Sequence, residues 1–167
     1  MKQIVVLNGP AGVGKTTTSR LLAGLSRNGA CIEGDALKHF IVTKEEGAVK
    51  GRLGYKNGAS LARNFLDAGY DLVVFEYIFP SQEQINYFLE VFDKRADEQV
   101  RVITLWAPLE VVMTREAHRP NRERLGDRLT ECWKELEGNL DTLGEVMMTH
   151  TLSPEQVAQM IFHSLDR

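Results

Sequence analysis

Gly9-Pro10-Ala11-Gly12-Val13-Gly14-Lys15-Thr16 is the stretch on which the reading of this chain turns. It fits G-x-x-x-x-G-K-[ST] at every fixed position. Before it, Ile4-Val5-Val6-Leu7 has the continuous apolar character of a buried strand. After it, residues 15–26 have helical period, with Leu21, Leu22 and Leu25 expected on one face. A strand that turns through glycines into a helix points successive backbone N–H groups into one concavity, at the positive end of the helix dipole. Such a concavity attracts phosphate. Gly9, Ala11, Gly12, Val13, Gly14, Lys15, Thr16 and Thr17 are therefore expected to cradle ATP or a close relative. Lys15 should reach the β- and γ-phosphates, and the Thr16 hydroxyl should bind Mg²⁺. A dinucleotide fingerprint read from Gly12 fails, because it needs a third small residue where Thr17 stands.

Working outward, short apolar runs alternate with longer stretches of helical period. Ala30-Cys31-Ile32, residues 71–75, residues 100–106 and Glu145-Val146-Met147-Met148 read as four further strands. Helices are expected near 35–42, 51–68, 81–95, 108–119 and 127–142. The last helix is marked by Ser153, Pro154 and Gln156 as a capping box, with Val157, Met160, Ile161 and Leu165 as its packing stripe. Alternating β and α with apolar strands argues a parallel sheet covered on both faces, a three-layer α/β sandwich of five strands. The length of 167 residues suits a single domain, 1–167, without repeats or linkers.

The bulk numbers narrow the class. Hydrophobic residues make up 43% and charged residues 26%, ordinary for a soluble globular protein. A net charge of −3 and a sequence pI of about 5.8 weigh against a nucleic-acid backbone as the main partner. Cys31 and Cys132 form no CxxC pair and read as free thiols, Cys31 as a small apolar residue of a buried strand. No signal peptide or long apolar span is visible, so a cytoplasmic setting without membrane contact is expected.

In open α/β sheets ligands sit beyond the carboxyl ends of the strands, so residues leaving the other strands there should surround the phosphates. Glu33-Gly34-Asp35 leaves the second strand. Asp35 reads as the helix N-cap and, compatibly, as the base that takes a proton from an attacking hydroxyl. Glu33 is open between cavity and surface, and Lys38 and His39 either touch an acceptor or face solvent. Glu76 ends the third strand, where a carboxylate holds Mg²⁺ directly or through water. Asp71, at the other end of that strand, reads as a surface residue, and Tyr77 and Phe79 as core or as acceptor-pocket walls.

Residues 115–128 carry Arg115, Arg119, Arg122, Arg124 and Arg128. Arg115 and Arg119 are i, i+4 on one helix face, and Pro120 disfavours helix at Arg119. Such a broken basic stretch suits a lid, about 116–128, whose guanidinium groups neutralise charge on a transferred phosphoryl group. Arg115, Arg119 and Arg122 are the favoured nucleotide contacts, with Arg119 and Arg122 also catalytic.

The order of phosphate loop, E-G-D, strand-end acid and R-E-x-x-R-x-x-R resembles the chloramphenicol phosphotransferase-like small-molecule kinases. These are related to gluconate, shikimate and nucleoside monophosphate kinases. The resemblance covers nearly the whole chain, with tight matches at 9–16, 33–35 and 115–122. It implies a nucleoside monophosphate kinase-like sheet and ATP-dependent transfer to a hydroxyl of a sugar, nucleoside or antibiotic. Asp35 would be base, and the adenine would lie near His150 to Pro154. Glu76 stands where that family usually has Asp, and no Pro follows His39 as in the gluconate kinases. An acceptor pocket is expected between 35–42, the glycine-rich 49–62 and the 77–82 loop. Two other readings stay open: a nucleotide-gated ATPase switch acting on a protein partner, and a nucleic-acid end kinase. Oligomeric state has no signal in the sequence.

Overall fold

In the computed structural model the described residues are 2–42, 52–118 and 125–165. β1 (Lys2–Asn8), rich in β-branched residues, is the middle strand of a sheet. With β2 (Gly29–Glu33), β3 (Leu72–Glu76), β4 (Glu98–Trp106) and β5 (Glu145–Met148) it gives the order β2-β3-β1-β4-β5. Every adjacent pair is parallel, with Leu7 opposite Glu76 and Glu33 also opposite Glu76. Since successive side chains point to opposite faces, each strand feeds two cores. Ile4, Val6, Ile32, Val73 and Phe75 meet α3 (Leu53–Asp67), α4 (Gln82–Phe92) and α6 (Asp127–Glu137). Val5, Leu7, Val74, Ile103 and Leu105 meet α1 (Lys15–Leu25), α5 (Leu109–Ala117) and α7 (Pro154–Leu165). The three-layer sandwich and all five strands are as the alternation predicts.

Local expectations fare unevenly. The capping box forms: the Ser153 N–H donates to Gln156 Oε1 at 2.8 Å, and the Gln156 N–H to Ser153 Oγ at 3.3 Å. Two helix stripes need correcting. On α7 the buried face is Val157, Ala158, Ile161 and Leu165, whereas Met160 is half exposed. On α1 the buried face is Thr18, Ser19, Leu22 and Ala23, which turns Leu25 out to solvent. The small polar side chains let the helix that follows the phosphate loop lie close to the sheet. Cys31 is only half buried; its thiol lies 3.4 Å from Ser19 Oγ, and burial pushes it above its usual range.

Gly54 and Gly58 of the 49–62 stretch are a packing device. A Cβ on Gly54 would stand 2.8 Å from Tyr77 Oη, and one on Gly58 would overlap the Phe75 ring. Their absence lets α3 settle onto the aromatic side chains at the end of β3. Residues 49–51 of that stretch lie outside the described residues.

Candidate functional site

The turn from β1 into α1 is built on glycine. Gly9, Gly12 and Gly14 all have positive φ, and a Cβ on Gly9 would come within 2.5 Å of the Leu105 carbonyl oxygen on β4. Asn8, fully buried, fixes the base of this turn. Its amide nitrogen donates to the Phe79 carbonyl at 3.0 Å and to Thr104 Oγ1 at 3.1 Å, while its oxygen accepts from the Phe79 N–H at 2.8 Å. The ends of β1, β3 and β4 are thereby locked in one geometry. α1 begins at Lys15, so its dipole points into the loop.

Lys15 is 8% exposed, and its ammonium donates to the carbonyls of Gly9 at 2.8 Å and Pro10 at 3.0 Å. Thr16 Oγ1 donates to Glu76 Oε1 at 3.1 Å, so the extra methylene of glutamate is accommodated by direct contact with the hydroxyl. Glu76 is 4% exposed. Burial pushes its carboxyl above the usual range, although Lys15 and the Thr16 hydroxyl pull the other way. Among the described residues no three His, Cys, Asp or Glu side chains gather as a ready metal cluster. A hydroxyl beside one buried carboxylate is instead an oxygen pair suited to a hard cation that keeps water and phosphate ligands.

A cavity of about 300 Å³ opens over the loop. Ala11, Gly12, Gly14, Lys15, Thr16 and Thr17 form its floor; Asp35, Glu76 and Ile78 stand on one side, and Arg115, Glu116 and Leu125 on the other. The carboxylate after β2 and the phosphate loop therefore share one space. Asp35 is not the N-cap the sequence suggests. Glu33 occupies that position, Gly34 opens α2 (Gly34–Leu37), and no side chain caps it. Asp35 sits in the first turn, exposed, with Lys38 Nζ 2.8 Å from its Oδ1. Glu33 is turned outward onto Arg20 and takes no part in the cavity lining. His39 faces solvent, Phe79 is core, and Asp71 is a surface residue. Of the three segments expected to bound an acceptor pocket, 35–42 and 77–82 reach the cavity through Asp35 and Ile78, while none of residues 53–62 lines it.

Arg115 lines the cavity, held at both ends of its guanidinium. It donates to the Val13 carbonyl at 3.2 Å and to the Thr149 carbonyl at 3.1 Å. It thus ties α5 to the phosphate loop and to the segment leaving β5, beside the His150–Pro154 loop. α5 stops at Ala117, and Arg119, Arg122 and Arg124 lie outside the described residues. Arg128 is exposed on α6. Trp133 stacks on Trp106 and donates its indole N–H to the Ala107 carbonyl at 2.9 Å, anchoring α6 at the C-terminal end of β4.

Asn8 and Thr149 are not among the residues expected from the sequence, and Ile78, Glu116 and Leu125 fall within the expected 77–82 loop and 116–128 lid without being singled out. Asn8 was detectable, as a polar residue closing an apolar strand directly before the loop. The others converge only through folding. No helix among the described residues is long and apolar enough to cross a membrane.

No family model matches the chain, and no curated protein matches its sequence. Solved structures do. The tunicamycin resistance protein of Deinococcus radiodurans superposes with a TM-score of 0.71 at 19% identity, over 99% of this chain and 96% of that one. A sugar kinase of Janibacter sp. HTCC2649 gives 0.67 at 20% identity, over 99% and 95%. Shikimate kinase of Acinetobacter baumannii, solved with shikimate, gives 0.61 at 20%, over 99% and 93%. The chain has the fold of the small P-loop kinases, along nearly its whole length.

Proposed function

We propose that this protein is a kinase that transfers the γ-phosphoryl group of ATP to a hydroxyl of a small molecule. The observation that carries the reading is the sharing of one cavity by Lys15, Thr16, Glu76 and Asp35. A phosphate cradle alone would serve a switch as well; a carboxylate facing it across a space of small-molecule size serves transfer. The neighbours, a sugar kinase, shikimate kinases and a gluconokinase, support a hydroxyl acceptor of that size. The acceptor lies among sugars, nucleosides and antibiotics.

In this reading the loop amides hold the phosphate chain, and Lys15 exchanges its two carbonyl partners for phosphate oxygens. Asp35 takes the hydroxyl proton as the acceptor oxygen bonds to the γ-phosphorus and the bond to the bridging oxygen of ADP breaks. Thr16 and Glu76 would hold Mg²⁺. When bound, the ion neutralises charge spread over the phosphate oxygens. Arg115 braces the nucleotide side of the cavity, with Arg119 and Arg122 as the lid residues that close on the transferred group.

An ADP-release screen across sugars, nucleosides and hydroxyl-bearing antibiotics tests the proposal. Turnover should rise well above a slow hydrolysis by water when an acceptor is added, fall about 10²–10⁴-fold in Asp35→Asn, and vanish in Lys15→Ala. Acceptor-independent hydrolysis that a protein partner stimulates would sink it in favour of a switch. Full acceptor phosphorylation by Asp35→Asn would remove the base assignment.

A further inference from the structure

Among the described residues Lys38 is a cation beside Asp35, and its position is built rather than incidental. Asp35 and Lys38 are i, i+3, on consecutive turns where α2 passes into a 3₁₀ turn, Lys38–Phe40. Lys38 Nζ lies 2.8 Å from Asp35 Oδ1 and 5.1 Å from the centroid of the Tyr77 ring. Tyr77 in turn is held. A Cβ on Gly34 would overlap its ring and one on Gly54 would crowd its hydroxyl, while Tyr55 meets it edge-on at 5.2 Å. The aromatic face is thus a fixed wall for the ammonium, attracted to it by the ring quadrupole.

The setting gives the ammonium a task. Asp35 is exposed, its side chain 59% accessible, so its aim depends on the groups that hold its carboxylate, and Lys38 is one of them. Its cavity holds two further acids, Glu76 and Glu116, against Lys15 and Arg115, and Glu33 lies two residues away. Burial disfavours the Lys38 ammonium, but the hydrogen bond and charge of Asp35 outweigh that and raise it above its ordinary value.

We infer that Lys38 is a positioning residue for Asp35, clamped between that carboxylate and the Tyr77 ring so that the base stays aimed at the hydroxyl entering the cavity. The inference rests on the reading of Asp35 as base. It distinguishes Lys38 from a ligand of an anionic acceptor and from an ordinary surface ion pair, which contributes little.

The test is MgATP turnover by the full chain with water as acceptor, for wild type, Lys38→Met, Lys38→Arg, Asp35→Asn and the double variant Lys38→Met/Asp35→Asn. Lys38→Met should lower kcat about tenfold with KM for MgATP unchanged, since misaiming a reacting group costs rate rather than nucleotide binding. Lys38→Arg should recover most of the loss. The double variant should be no slower than Asp35→Asn alone, because groups acting as one unit are not additive. Unchanged kcat in Lys38→Met, a change confined to KM, or a full further loss in the double variant would overturn the inference with the base assignment intact. Wild-type turnover by Asp35→Asn would remove the base assignment itself, and the inference with it. Thermal melts should show all four variants folded, as expected for an exposed pair.

Discussion

Two buried glutamates stand at opposite ends of the sheet and are treated in opposite ways. Glu98 opens β4, at the end away from the cavity, with its side chain fully buried. The Arg63 guanidinium grips both its oxygens, and the Arg95 N–H donates to Oε2 at 2.9 Å. Arg63 also caps the Phe92 and Asp93 carbonyls and lies over the Phe92 ring. Burial alone would raise this carboxyl; Arg63 and the Arg95 amide more than reverse that and hold it below the usual range. Glu76 closes β3, at the cavity end, with one hydroxyl donor from Thr16 and an ammonium that points to loop carbonyls instead. Its carboxyl stays above the usual range. The fold therefore completes its own electrostatics at the Glu98 end. It leaves a negative charge under-compensated where a cation and phosphates are proposed to enter.

The largest expected effect lies at the completed end. Glu98→Gln removes the charge and leaves the half-buried Arg63 with the longer 3.9 Å contact to Asp67 and its two backbone carbonyls, which should cost about 3 kcal/mol of stability, the low end for a broken buried pair. Arg63→Met, which strands the carboxylate, should cost as much. Chemical denaturation measures both. A loss below about 1 kcal/mol would mean that the pair behaves as a surface bridge and that the contrast with Glu76 is not one of compensation.

At the cavity end the cost should move from stability to rate. Glu76→Gln keeps the acceptor for Thr16 but removes the charge proposed to hold Mg²⁺. Turnover should fall about 10²–10³-fold, with a steeper dependence on free Mg²⁺, while the melting temperature does not fall. A lowered melting temperature with an unchanged Mg²⁺ dependence would make Glu76 a structural residue and erase the comparison.

How far these roles were legible before folding differs between the two ends. Glu76 could be found, because a carboxylate directly after four apolar residues must emerge at a strand end, and the phosphate loop says which end matters. Asp35 followed from the same logic, and Arg115 from the i, i+4 arginines before Pro120. Glu98 offered nothing: it lies in a charged stretch, and the Arg63 that neutralises it is 35 residues away on a helix whose period does not reveal what it faces. Asp35 as N-cap failed for a local reason. Gly34 takes the first helical position and Glu33 the N-cap, so the chain enters the turn two residues early. The leucines of α1 misled because hydrophobicity marked a face, whereas close approach to the sheet selected the small Thr18, Ser19 and Ala23.

Asn8 supplies an uncharged control between the two glutamates. It is buried, and both ends of its amide are satisfied within the protein. Asn8→Ala leaves the Phe79 N–H and carbonyl without that partner and should cost about 2 kcal/mol. Since the same bonds fix the β3–α4 connection that carries Ile78 to the cavity, KM for MgATP or acceptor should rise as well. An effect on stability alone would confine Asn8 to the sheet.

The smallest effect is also the most discriminating, because its sign differs between the two ends. Glu98 has a folded-state proton affinity below that of the unfolded chain, so it contributes stability above the ordinary glutamate range and loses it as pH falls through that range. Glu76 has a raised value, so its ionised form costs stability at neutral pH, and the cost disappears as pH falls through its folded-state value toward the unfolded one. Without nucleotide, Glu76→Gln should therefore be more stable than wild type at pH 7 by about 0.5–2 kcal/mol, a gain that active-site substitutions often show. That gain should shrink steadily as pH is lowered toward 4. The deficit of Glu98→Gln should also shrink with acid, but from the opposite side of wild type and only below the ordinary glutamate pKa. Urea titrations of the three proteins from pH 3 to pH 8 give both curves. If Glu76→Gln is less stable than wild type at pH 7, then Lys15 and Thr16 already compensate the carboxylate, and the cavity end is as complete as the other.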